Sequence, residues 1–136
     1  MKKAVKLWCL LFSCILLLSG CAKKETSAYR VVTAVDISFR YEDMLLQRHY
    51  TQSDKVESVL LYLRLLKPLG KTTVPTGNDR DLYHITVLFS DGSTKQYQQR
   101  AHRFLNRREH IWEIIDPGYA ANLYALMRHY PSDGVL

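Results

Sequence analysis

Thiols, imidazoles and guanidinium groups are the side chains of this 136-residue chain that could do chemistry, and their placement narrows the options at once. All three cysteines, Cys9, Cys14 and Cys21, lie in the first 21 residues. Nothing beyond Cys21 can supply a thiolate, so thiol catalysis, a disulfide framework and a cysteine metal site are excluded for the rest of the chain. The five histidines are His49, His84, His102, His110 and His129. None sits in H-E-x-x-H or a similar metal-binding spacing, and each reads as a surface or hydrogen-bonded structural residue. Asp36 and Asp91 with His84 would make an acid–base set, but nothing in their spacing supports one, and no Gly-x-Ser-x-Gly turn occurs. The expectation is a protein that is not an enzyme and holds neither metal nor cofactor.

The guanidinium groups cluster. Arg100, His102, Arg103, Arg107, Arg108 and His110 form a basic run interleaved with Phe104 and Trp112. That composition suits an anionic partner, whether an acidic protein face, an anionic polymer or a lipid surface. The competing reading is a solvated edge strand, where charge prevents strand-to-strand aggregation. Net charge does not decide between them. Lys2, Lys3 and Lys6 account for three of the 19 basic residues, which leaves 16 against 13 acids, or +3, and no argument for nucleic acid. Nine tyrosines would make a binding surface if exposed on a sheet face. Alternation instead places Phe39, Tyr41, Tyr83 and Phe89 inward, as core.

The N-terminus carries an address. Lys2, Lys3 and Lys6 precede an apolar stretch over 7–18, the layout of a secretory signal. About a dozen apolar residues fall short of the roughly 20 a spanning helix needs. Leu18-Ser19-Gly20-Cys21 then resembles the lipobox of bacterial lipoproteins at all four positions. The resemblance implies diacylglycerol transfer to the Cys21 thiol, cleavage between Gly20 and Cys21, and acylation of the new amino terminus, with palmitate-class chains. Two or three such chains hold a protein on a bilayer where one would not. The whole chain also resembles the small uncharacterised lipoproteins of Gram-positive bacteria, which implies the outer face of the cytoplasmic membrane. A Gram-negative source would permit the outer membrane instead. The expected organisation is a signal peptide over 1–20, a lipidated cysteine and flexible tether over 21–28, and one domain over 29–136.

Elements follow from periodicity. Residues 29–41 alternate, with Val31, Thr33, Val35, Ile37, Phe39 and Tyr41 on one parity, which predicts a half-buried strand. Glu42-Asp43 turns the chain, and 44–50 reads as its partner, with a continuous helix from Glu42 as the competitor. Val56, Val59, Leu60, Leu63 and Leu66 make a helical stripe, capped by Thr51 with Asp54 or Ser53 with Glu57 and ended by Pro68 and Gly70. Residues 71–81 read as a loop, the segment best placed to bind a partner. A strand over 82–90, an Asp91-Gly92 hairpin and a strand over 94–101 follow. Residues 102–106 continue that strand or bend into the next, and 110–115 form a short strand or a bridge. Asp116-Pro117 starts a helix striped by Ala120, Leu123, Tyr124, Met127 and Tyr130. A frayed tail over 131–136 closes the chain. The predicted fold is α+β, an antiparallel sheet of four to five strands with two helices packed on one face, in the order β-β-α-β-β-(β)-α. The expected role is a non-catalytic binding or interaction module of the bacterial envelope. The alternative is a small envelope hydrolase or inhibitor-like module using the 71–81 loop.

Overall fold

The computed structural model describes residues 30–72 and 81–134. The chain runs β1 (Val32–Tyr41), β2 (Met44–Tyr50), α1 (Ser53–Arg64), β3 (Gly70–Thr72), β4 (Leu82–Phe89), β5 (Thr94–Arg100), β6 (Arg103–Asn106), β7 (Ile111–Ile114) and α2 (Pro117–His129). The class is the expected α+β, but the sheet has seven strands rather than four or five, in the order β2-β1-β4-β5-β6-β7-β3. Every pairing is antiparallel. Gly70–Thr72 accounts for part of the undercount. It does not end a helix or open a loop; it pairs with β7, Lys71 opposite Glu113. The rest of the expected 71–81 loop, up to residue 80, lies outside the described residues, as do the leader, Cys21 and the tether.

Alternation in β1 and β4 builds the core. Val35, Ile37 and Phe39 stand opposite Val87, Ile85 and Tyr83, and all six are buried. Both helices lie on this face: Val56, Val59 and Tyr62 of α1 and Leu123 and Met127 of α2 join the same cluster. Leu63 is only half-buried; Val59 and Tyr62 hold the central positions of the stripe. The other face carries Asp36, Ser38, His49, His84 and Thr86, and neither helix of the described residues packs over it.

Four details depart from expectation. Val31 and Thr33 are not inward-facing. The register with β4 steps from Val32↔Phe89 to Ala34↔Leu88, a bulge whose extra residue flips the pleat. Val32 therefore packs on the core while Val31 is 59% exposed. Helix α1 stops at Arg64, and 66–69 have no regular structure before the Leu69 N–H donates to the Ile114 carbonyl at 2.7 Å. No side chain of the first turn caps α1. Its entry is held instead by Asp133, which accepts from the N–H groups of Thr51 and Gln52 at 2.8 and 2.9 Å and pairs with Lys55. Residues 132 and 133 of the expected frayed tail are thus fixed in place. Ser132 Oγ accepts from His49 N–H at 3.0 Å, and Asp133 N–H donates to the His49 carbonyl at 2.7 Å. These bonds occupy backbone groups that edge strand β2 would otherwise leave open. The start of α2 matches its sequence: Asp116 accepts from Tyr119 N–H at 2.8 Å, with Pro117 in the first turn.

Two measurements check this packing. Leu123 is fully buried between helix and sheet. Leu123→Ala should lower unfolding stability by about 2–5 kcal/mol in denaturant titration. The second concerns acid. Backbone N–H donors, first that of Gln52, and the Lys55 ammonium hold the Asp133 carboxyl down to about 2. A folded-state value below the unfolded one makes the stabilisation complete above about pH 4, and it is lost as pH falls toward 2. Asp133→Asn should remove much of the loss in denaturation midpoint between pH 4 and pH 2. Some slope should persist, because Ser93 also lowers the Asp91 carboxyl.

Candidate functional site

At the β1–β2 hairpin end of the sheet the helical cover stops short, leaving a cleft of about 550 Å³. Its floor is aromatic. Phe39 and Tyr83, directly opposite on β1 and β4, stack with centroids 4.2 Å apart and planes at 21°. Tyr124 of α2 tilts onto Phe39 at 5.4 Å, and Tyr41 lies 6.5 Å from Phe39 along the strand. Small residues of α2, Ala120 and Ala121, leave the space open, while Met44, Pro117, Ala101, His102 and Asp81 complete the walls. Polar groups are few. Burial pushes the Tyr83 phenol up, and the negative charge of Asp81 and the neighbouring Tyr124 push it the same way.

Three non-glycine residues at this end have left-handed backbones: Glu42 (φ 51°), Asp81 (φ 56°) and Ala101 (φ 49°). Such residues are uncommon, and they persist where surrounding structure over-determines them. Here Ala101 N–H donates to the Asp81 carbonyl at 3.1 Å, which joins the two turns.

Beneath the cleft lies Gln99, fully buried on the inner face of β5. Its Oε1 accepts from the Tyr62 hydroxyl of α1, and its Nε2 donates to the carbonyls of Ala101 at 3.0 Å and Ala120 at 3.3 Å. Tyr119 stacks on Tyr62 at 5.0 Å and its hydroxyl donates to the Tyr62 carbonyl at 2.6 Å. One amide thus ties both helices and the Ala101 turn to the sheet.

The residues singled out from sequence are dispersed. Arg100 and Arg103 stand opposite each other across β5–β6. His102 lines the aromatic cleft. Arg107 donates to Gln96 at 3.2 Å, and Arg107 and Arg108 border a different hollow, of about 500 Å³, with Leu63, Tyr97 and Phe104. Strand β6 lies inside the sheet, not at its edge, and Trp112 is buried. Of the imagined acid–base set, Asp36 and His84 share the open sheet face in a groove of about 480 Å³. Asp91 is instead engaged with Ser93 in the β4–β5 hairpin. The partner of Asp36 is His49, across β1–β2. Ser38 lies in that groove, and no hydrogen bond joins it to either histidine among the described residues. Also among them, no group of three or more His, Cys, Asp or Glu could hold a metal ion, and no helix is long and apolar enough to cross a membrane.

Sequence reasoning assigned Phe39, Tyr41 and Tyr83 to core; Phe39 and Tyr83 are buried, but Tyr41 at the end of β1 is 42% exposed, because the helical cover ends before it, and all three line the cleft, which that reasoning missed. The available signal was the Ala120-Ala121 pair in the first turns of α2. No protein-family model, curated protein or solved structure matches this chain.

Gln99→Leu should leave the Tyr62 hydroxyl and the Ala101 carbonyl without this partner, at about 1–3 kcal/mol for each group stranded, whereas the Ala120 carbonyl keeps its bond within α2. Adding Tyr62→Phe should recover part of that loss, read as a coupling energy in a double-mutant cycle.

Proposed function

We propose that the chain is an exported, non-catalytic binding module, anchored to the membrane through lipidated Cys21, that holds a small ligand with an apolar body in the aromatic cleft. The observation that carries this reading is the cleft itself: about 550 Å³ of space, walled by aromatic and small apolar side chains with few polar groups. Pockets of this size and composition are the usual seat of small-molecule binding. Support for the anchor comes from the sequence, where a short apolar leader runs into Leu18-Ser19-Gly20-Cys21.

Ala121 is exposed on α2 and lines the cleft, so Ala121→Trp should fill the space without disturbing the core. In a fragment screen of the full-length chain in nonionic detergent, hits that shift the Met44 methyl resonance should disappear in Ala121→Trp. Hits that persist unchanged in the filled variant would place binding elsewhere. For the anchor, wild type should take up labelled palmitate in cells, and Cys21→Ala should take up none and leave the membrane fraction. Absence of label in the wild type overturns the address.

A further inference from the structure

The cleft's chemistry narrows its ligand beyond an apolar body. We propose that it selects an organic ammonium cation, a positively charged nitrogen dressed in alkyl groups, with the charge set between the Asp81 carboxylate and the rings of Tyr41 and Tyr124. This inference rests on the cleft being a binding site and specifies what it binds.

Charge is the first argument. Asp81 is the one acid lining the cleft and His102 the one base among the described lining residues. The Asp81 carboxylate takes part in no ion pair among the described residues. A partly buried carboxylate without a counter-ion makes the site attractive to a cation and hostile to an anion. Asp116, next to the lining residue Pro117, adds negative charge nearby, although its carboxylate is already the cap of α2.

The aromatic walls supply the second argument. Ring faces carry negative quadrupole density and attract cations, best those with diffuse, weakly hydrated charge. The Arg128 guanidinium lies 6.0 Å from the Tyr124 ring centroid, at the outer limit of such a contact, so a bound ammonium would share this ring with a cation of the chain. A bare metal ion fits poorly. Calcium and magnesium take six or more oxygen ligands, and one carboxylate in an apolar cleft cannot replace a hydration shell. An alkylated ammonium gives up little hydration and fills the apolar volume. The Asp81 backbone is left-handed, and its carbonyl accepts from Ala101 N–H at 3.1 Å, which ties this turn to the cleft wall.

Choline and its neutral carbon isostere 3,3-dimethylbutan-1-ol separate charge from shape. The full-length chain in nonionic detergent is titrated with each, and the methyl resonances of Met44 and Ala121 are followed. Choline should bind at least tenfold more tightly than the alcohol. Asp81→Asn should erase that preference and leave the alcohol's affinity within twofold; asparagine tolerates a left-handed backbone, so the turn should survive. Tyr124→Leu should weaken choline and spare the alcohol. Equal binding of the two probes, or a preference that survives Asp81→Asn, overturns the cation inference and leaves the binding module intact. If neither probe nor any fragment shifts these methyls, the cleft is not a binding site and both readings fall. Phosphatidylcholine added to the detergent micelles as competitor should not displace choline; displacement would show a lipid headgroup as the true ligand and overturn a free cation.

Discussion

A single buried carboxamide sets the geometry of this protein. Gln99 occupies a position on β5 whose neighbours on the inner face are Tyr83 and Phe104, where an apolar side chain would fill the space more cheaply. A primary amide can be buried only if its donors and acceptor are matched. Here the match comes from two helices and the adjoining turn: α1 through Tyr62, α2 through Ala120, and the β5–β6 turn through Ala101. Hydrophobic contact alone would let two helices slide over a sheet face; fixed hydrogen-bond directions do not. Gln99 therefore fixes where α2 begins relative to the sheet. With Ala120 held above β5, its neighbours Ala121 and Tyr124 face the hairpin end, and the aromatic floor there stays uncovered.

The same logic of long-range polar clamps governs the other end of the molecule. Asp133 holds the entry of α1 and Lys55, and the backbone beside it runs along β2. Arg48 on β2 donates to the Met127 carbonyl in the last turn of α2 at 2.9 Å, satisfying an acceptor that a helix end leaves open. The Tyr50 hydroxyl donates to the Tyr130 carbonyl at 2.8 Å, and burial pushes its phenol up to about 12, so it remains a donor through the physiological range. Sheet, helices and C-terminus are thus joined by directed bonds around an apolar centre.

What could be read from the sequence follows from how local each cause is. Strands β1 and β4 are long enough for alternation to show, and both helices carry their own stripes, so these four elements and the shared helical face were legible. Strands β3, β6 and β7 have three or four residues each, too few for a period, and exist because a partner is beside them. The bulge at Thr33 is invisible in composition because it is defined by register against β4. Capping of α1 by Asp133 reverses the usual local rule, since the cap arrives from about 80 residues away. The cleft was hidden for a related reason. Phe39 and Tyr83 are core residues by type and by parity; that the helical cover ends above them is a property of where α2 docks, which Gln99 decides.

The course of β1 connects the proposed anchor to the proposed cleft. The chain enters at Arg30, whose guanidinium lies 4.6 Å over the Phe89 ring and donates to Ser93 Oγ at 3.3 Å, while Val31 N–H donates to Ser90 Oγ at 3.2 Å. These contacts fix the point of entry beside the β4–β5 hairpin. From Val32 the strand runs ten residues to Tyr41, about 30 Å at the usual rise, and its far end forms part of the cleft. A tether through residues 21–28 would therefore attach at one end of the long axis of β1 with the cleft at the other. On the anchored reading, the cleft can stand away from the bilayer, open to solutes beyond the membrane and clear of the headgroups.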